Sequence, residues 1–142
     1  MNISRRRARI LVMQGLYAWE VSGMPVEELL EFSWIKKEKR EKLQPADLSF
    51  PRLLLAGTIE NIEAVDKRIC ENLHNWKFED LNITDKSILR FSTYSLLFQK
   101  EILPSIVIDE AISIAKDYGT DDSFKFINAI LDSVNKQETV NE

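Results

Sequence analysis

Thr84-Asp85-Lys86-Ser87-Ile88-Leu89-Arg90-Phe91-Ser92-Thr93-Tyr94-Ser95-Leu96-Leu97 decides the fold. At 100° per residue Ile88, Leu89, Phe91, Tyr94 and Leu97 do not keep to one stripe but surround the segment. A helix that is apolar on every side belongs inside a bundle. The segment therefore predicts a central, buried helix, capped by Thr84 and ended by Pro104. The rest of the chain must then supply apolar stripes to cover it.

Upstream, the pattern predicts a first helix over about 5–21, stopped by Ser22-Gly23. Ala8, Val12, Leu16 and Trp19 form its core stripe, with Arg7, Ile10, Gln14 and Tyr17 on the opposite side. Pro25 opens a second helix through Leu29, Leu30 and Trp34, with a Lys/Glu-rich continuation to about 43. Residues 44–50 read as a loop. Pro51 then opens a third helix with Leu55, Ile59, Ile62, Ile69 and Leu73 as its buried stripe. Residues 75–83 form a connector and the expected hinge between two halves, about 4–75 and 84–136. Downstream, Ile108, Ala111, Ile112 and Ala115 mark a fifth helix, closed by Gly119 as a C′ residue. Ile106-Val107-Ile108 could form a short strand but has no partner run. A last helix starts after Asp121-Asp122-Ser123 and buries Phe124, Ile127, Ile130, Leu131 and Val134, and its polar tail from Gln137 is expected to fray. With 4 Gly, 4 Pro, no repeat and no alternating strand series, the expectation is an all-α helical bundle of two subdomains in a single domain, 1–142.

Composition limits the function classes. At 142 residues and 44% hydrophobic content the chain can build its own core, and 30% charged residues suit a wet surface. A single cysteine, Cys70, rules out an internal disulfide framework and fits a reducing compartment. Its amphipathic setting predicts a buried thiol. The basic start runs into Gln14 and Glu20 without a signal-peptide core, and no run of about 20 apolar residues offers a membrane span. A cytoplasmic protein is expected.

Against this background Ser4-Arg5-Arg6-Arg7-Ala8-Arg9 stands out. The chain has 19 Lys+Arg and 23 Asp+Glu, a formal net charge of −4, yet its first nine residues contain no acid. Cations at a helix N-terminus are each unfavourable by about 0.3–1 kcal/mol, and Arg5 and Arg9 repel at i,i+4. A polyanion reverses both terms, because exposed N–H groups and arginines then converge on phosphate. A solvated charge run is the alternative.

Catalytic chemistry finds no foothold in the sequence. The single histidine, His74, sits at a helix end beside Asn75-Trp76. There is no Cys/His cluster for a metal, no Gly-rich phosphate loop, no nucleophile elbow and no sign of a cofactor. The second informative segment is Asp117-Tyr118-Gly119-Thr120-Asp121-Asp122-Ser123-Phe124-Lys125-Phe126-Ile127-Asn128. Phe126 lies about 100° off the core centre set by Ile127, Ile130, Leu131 and Val134, next to Lys125 and a helix N-terminus. A base can stack on such a ring while Lys125 takes a phosphate. Packing of Phe126 against a neighbouring helix is the alternative.

Together these residues resemble the NusB family of bacterial transcription antitermination and ribosomal RNA synthesis factors. The resemblance rests on Arg5-Arg6-Arg7-Ala8-Arg9, Gln14, Leu16-Tyr17 and Trp19-Glu20. It continues through Leu54, Ala56-Gly57, Asp66, Trp76, Asp85-Lys86 and Ile88-Leu89-Arg90. Glu110-Ala111-Ile112, Ala115-Lys116, Tyr118-Gly119, Ser123, Lys125-Phe126, Asn128 and Leu131-Asp132 complete it. The likeness spans about 4–134 and is weakest over 25–50. It implies an all-helical fold of two subdomains, binding of boxA-type RNA, and pairing with NusE, a small-subunit ribosomal protein. It further implies contact with the transcribing RNA polymerase complex through other Nus factors, and a possible homodimer. By residue match the implied RNA surface is Arg5, Arg6, Arg7, Arg9, Tyr17, Asp122, Ser123, Lys125 and Phe126. Ser95 stands where the family usually has glutamate, and Ala129 where it usually has glycine. Both replacements are small.

The expectation is a non-enzymatic RNA-binding adaptor that holds a short single-stranded element beside a protein partner. A helical protein-interaction module with merely solvated arginines is the rival from another class. The RNA-binding domain of a ribosomal RNA methyltransferase is a third reading, opposed by the lack of room for a methyltransferase domain in 142 residues.

Overall fold

The structure, a computed structural model, describes residues 3–141, and among them eight α-helices and no strand. The first helix, α1, runs Arg5–Ser22. Ser4 caps it by accepting a hydrogen bond from the Arg7 N–H at 3.0 Å. Gly23 closes it at φ 68°, and its N–H reaches the Trp19 carbonyl. Only glycine takes that left-handed position without strain.

The expected second helix is instead two single turns, α2 (Val26–Leu29) and α3 (Lys37–Arg40). Between them Phe32 takes φ 49° with its side chain fully buried and meets Trp34 edge-on at 5.3 Å. The Arg40 guanidinium donates to the carbonyls of Phe32 (2.8 Å) and Glu31 (2.6 Å). Burial of Phe32 and this capping outweigh local helix propensity. A 3-10 turn, Pro45–Leu48, occupies the expected loop and leads into α4 (Ser49–Glu60). The third helix is also divided: Asn61 leaves helical geometry, and α5 follows over Ile62–Glu71. In this pair Leu55 and Ile69 are fully buried, as expected. Ile59, Ile62 and Leu73 are only partly covered, and Leu54 and Val65 complete the core face.

The central helix is α6, Ile83–Phe98. Its cap is Asn82, not Thr84, and accepts the Asp85 N–H at 2.8 Å. It packs against α1, α4, α5, α7 (Pro104–Tyr118) and α8 (Ser123–Asn141), as the apolar surround predicted. Fully burying each of Ile88, Leu89 and Phe91 contributes roughly 1.5–3 kcal/mol. Pro104 opens α7 instead of ending α6, and Ile106-Val107-Ile108 is helical. Gly119 ends α7 in extended geometry, so its role is space: a Cβ there would lie 2.6 Å from Ser123 Cβ and 2.8 Å from the Ala115 carbonyl oxygen. The tail does not fray from Gln137. Gln137 accepts from Asn72, and Glu138 accepts from Arg68 and Lys100. Cys70 is exposed, contrary to the expected buried thiol, and Ile10 is buried where the first stripe left it outside.

Candidate functional site

The candidate residues fall into two groups, linked through the Arg6–Asp117 pair between the start of α1 and the last turn of α7. The first is the arginine edge of α1, whose opening turn carries no acid. Arg5 is exposed, with its guanidinium 4.0 Å over the Phe50 ring. Arg9 approaches the same ring at 5.3 Å but is only 2% exposed, and its Nη1 lacks a hydrogen-bond partner. Burial lowers the Arg9 pKa, partly offset by the charge of Glu110. Arg9 therefore supports Phe50 from within and does not present itself to solvent. Arg6 donates to Ser113 at 2.5 Å and pairs with Asp117, which fastens the α1 start to the last turn of α7. Arg7 is half-buried, and none of its side-chain nitrogens has a carboxylate partner among the described residues.

The second group sits where α7 turns into α8, five to nine residues beyond Asp117. Ser123 is 2% exposed and its hydroxyl accepts the Thr120 N–H at 2.9 Å. That hydroxyl shapes the corner and is not open to a ligand. Phe126, partly buried, meets Trp76 edge-on with centroids 5.8 Å apart. Trp76 is 57% exposed, far more than a packing role requires. The two rings, with Leu81, Asp85, Asp122 and Ser123, line a cavity of about 290 Å³. Asp85 is buried and its Oδ1 has no partner. Lys125 is exposed, and Lys116 and Lys125 lie on the Phe124 ring at 5.0 and 5.8 Å. Tyr17 is 44% exposed on α1. By helical spacing it shares a row with Arg6, Ile10 and Met13.

A buried ionic network lies toward the other end of α1, at Glu20. Arg90 makes a two-pronged contact with Asp66 (2.9 and 2.8 Å) and a further one with Glu20 (2.6 Å). Burial works against its charge, but the bonds and charges of Asp66 and Glu20 raise its pKa overall. This network ties α1, α5 and α6 together.

Sequence reading missed Trp76 and Phe50 as site residues. A tryptophan in a polar connector was the available signal for Trp76. Phe50 joins only through the fold. Among the described residues no group of three or more His, Cys, Asp and Glu is placed to hold a metal.

The arrangement offers aromatic platforms, unpaired cations and a helix N-terminus on an otherwise acidic molecule, which is the chemistry of a single-stranded polyanion with planar bases. The NusB family model matches residues 6–136. Transcription antitermination protein NusB of Treponema denticola is 53% identical over 134 residues, covering 94% of this chain and 97% of that one. The solved structure of T. maritima NusB superposes with a TM-score of 0.84 at 34% identity, covering 100% of both chains. A crystal structure of antitermination factors NusB and NusE in complex with dsRNA gives a TM-score of 0.80 at 24% identity, covering 95% of this chain and 99% of that one, a likeness of fold.

Proposed function

The chain belongs to the NusB family of transcription antitermination proteins, and from that premise we propose that the α1 edge and the α7–α8 corner form one RNA-binding face. As a member of that family it is a non-enzymatic factor. The RNA is a boxA-type single strand, held together with a NusE-type ribosomal protein. A NusB–NusE complex with RNA exists for a protein of the same fold, which supports this reading. The observation that carries it is the Arg6–Asp117 pair, because it seats the arginine edge against the helix end from which the Trp76–Phe126 groove begins.

Within this face Arg5, Arg7 and Lys125 take phosphates, and Phe126 with Trp76 stacks a base for about 1–3 kcal/mol. Tyr17 offers a further platform, and Asp122 lines the groove. Arg6, Arg9 and Ser123 act through others: Arg6 fastens α7, Arg9 backs Phe50, and Ser123 shapes the corner. The two halves, about 4–75 and 84–136, work as one unit around α6. Contact with polymerase through other Nus factors and a cytoplasmic location belong to the same reading, which is compatible with either a monomer or a homodimer. No helix among the described residues is long and apolar enough to cross a membrane.

The test is a titration of boxA-like RNA and a scrambled control, with and without the ribosomal partner. Tighter binding of boxA RNA, strengthened by saturating partner, is expected from linkage. Equal binding of both RNAs, or partner release on adding RNA, contradicts it.

A further inference from the structure

A second cavity opens on the other flank of α1, over the segment 25–50 where the family likeness is weakest. It measures about 370 Å³, within the usual range of ligand pockets, about 300–1,000 Å³. Its walls are apolar, with Ile3, Leu11, Ile35 and Leu43, and its rim carries Arg7, Lys39 and Lys42. None of these three cations is paired with a carboxylate among the described residues. Arg40, between the lysines, is instead spent on the Glu31 and Phe32 carbonyls. Three unpaired cations around an apolar hollow on a chain of net charge −4 favour an anionic occupant with an apolar part, which a nucleotide's phosphate and base supply.

We infer that this cavity is a nucleotide subsite: it takes the base of a residue flanking the core RNA element, with Lys39 and Lys42 on the adjoining phosphates. The inference rests on the RNA-binding reading above. Its link to that face is Arg7, which belongs to the arginine run and to the cavity rim at once. Ile3 joins the cavity to a neighbouring one of about 450 Å³ that reaches Arg5 and Phe50, so a strand leaving the arginine edge has a continuous path. Leu11 and Ile35 are buried and fix the floor, so the hollow is a feature of the packed core edge.

The experiment compares three RNAs on the full chain: the core element, the element extended by two nucleotides at either end, and the extended form with abasic sugars in the added positions. One extension should bind at least about fivefold tighter than the core element, the gain of one stacked or inserted base. The abasic form should lose most of that gain. The double variant Lys39→Ala/Lys42→Ala should bind core RNA as the wild type does and gain nothing from the extension. A thermal melt checks that these exposed substitutions leave the fold intact. No gain from either extension, or a gain that survives in the abasic RNA or in the double variant, overturns the subsite while leaving the core reading standing. Failure of the wild type to bind core RNA overturns both.

Discussion

Phe126 leaves the core face of α8 by one helical step, and its ring meets Trp76 edge-on at 5.8 Å. A ring so placed covers the α6–α8 edge yet keeps a face for a base. Phe126→Ala should therefore cost about 1–3 kcal/mol in RNA binding. Its cost in stability should stay below the roughly 3–5 kcal/mol of a fully buried phenylalanine. A thermal melt and an RNA titration on the same variant separate the two. A collapsed melting temperature with unchanged affinity of the folded fraction would assign Phe126 to packing. The arginines divide in a similar way. Arg6→Ala should lower stability through loss of the α7 contact and change the salt dependence of RNA binding little. The run 5–9 was legible as a charged cluster, but the separate roles of its members were not. Arg9 shares a helical row with Val12 and Leu16, and that spacing was the one sign that it turns inward. Arg6 depends on Asp117, 111 residues away, which no local pattern reveals.

At the scale of elements, the corner between α7 and α8 is built by absence of a side chain. Gly119→Ala would drive a Cβ against Ser123 and the Ala115 carbonyl, and should destabilise by about 1–3 kcal/mol. A melting temperature equal to wild type would show that the corner can relax. The α8 tail makes a pH-dependent contribution. Arg68, with Lys100, holds the Glu138 carboxyl below the ordinary carboxylate value, against some desolvation. A depressed folded pKa stabilises above the unfolded value, about 4.3, and that contribution is lost as pH falls through the folded one. Melting curves from pH 6 to pH 3 should thus decline less steeply for Glu138→Gln than for wild type. Parallel declines would contradict the assignment. The long elements α1, α6, α7 and α8 were legible because their apolar patterns persist over four or more turns. The second helix was not, because a buried Phe32 at positive φ and the Arg40 caps are tertiary events. Asn61 divides α4 from α5 at a point where the apolar spacing continues unbroken, so the pattern concealed the break.

For the whole molecule, the proposed RNA face is a basic, aromatic patch on an acidic body of net charge −4. Overall charge opposes RNA, so affinity must come from a local set of contacts and from a partner that adds more. The all-helical architecture and family membership could be read from the sequence, since α6 surrounded by apolar residues demands a bundle. The proposed union of the arginine edge with the Trp76–Phe126 groove could not, because it depends on how α1 meets α7. That union is the central claim, and the salt dependence of RNA binding tests it most directly. Single-stranded RNA of boxA type should be titrated at several salt concentrations into wild type and into Arg5→Ala/Arg7→Ala. The account predicts that the log–log slope of the variant is shallower by about 1.4, two phosphate contacts at about 0.7 each, with the melting temperature retained. An unchanged slope in a folded variant would contradict it.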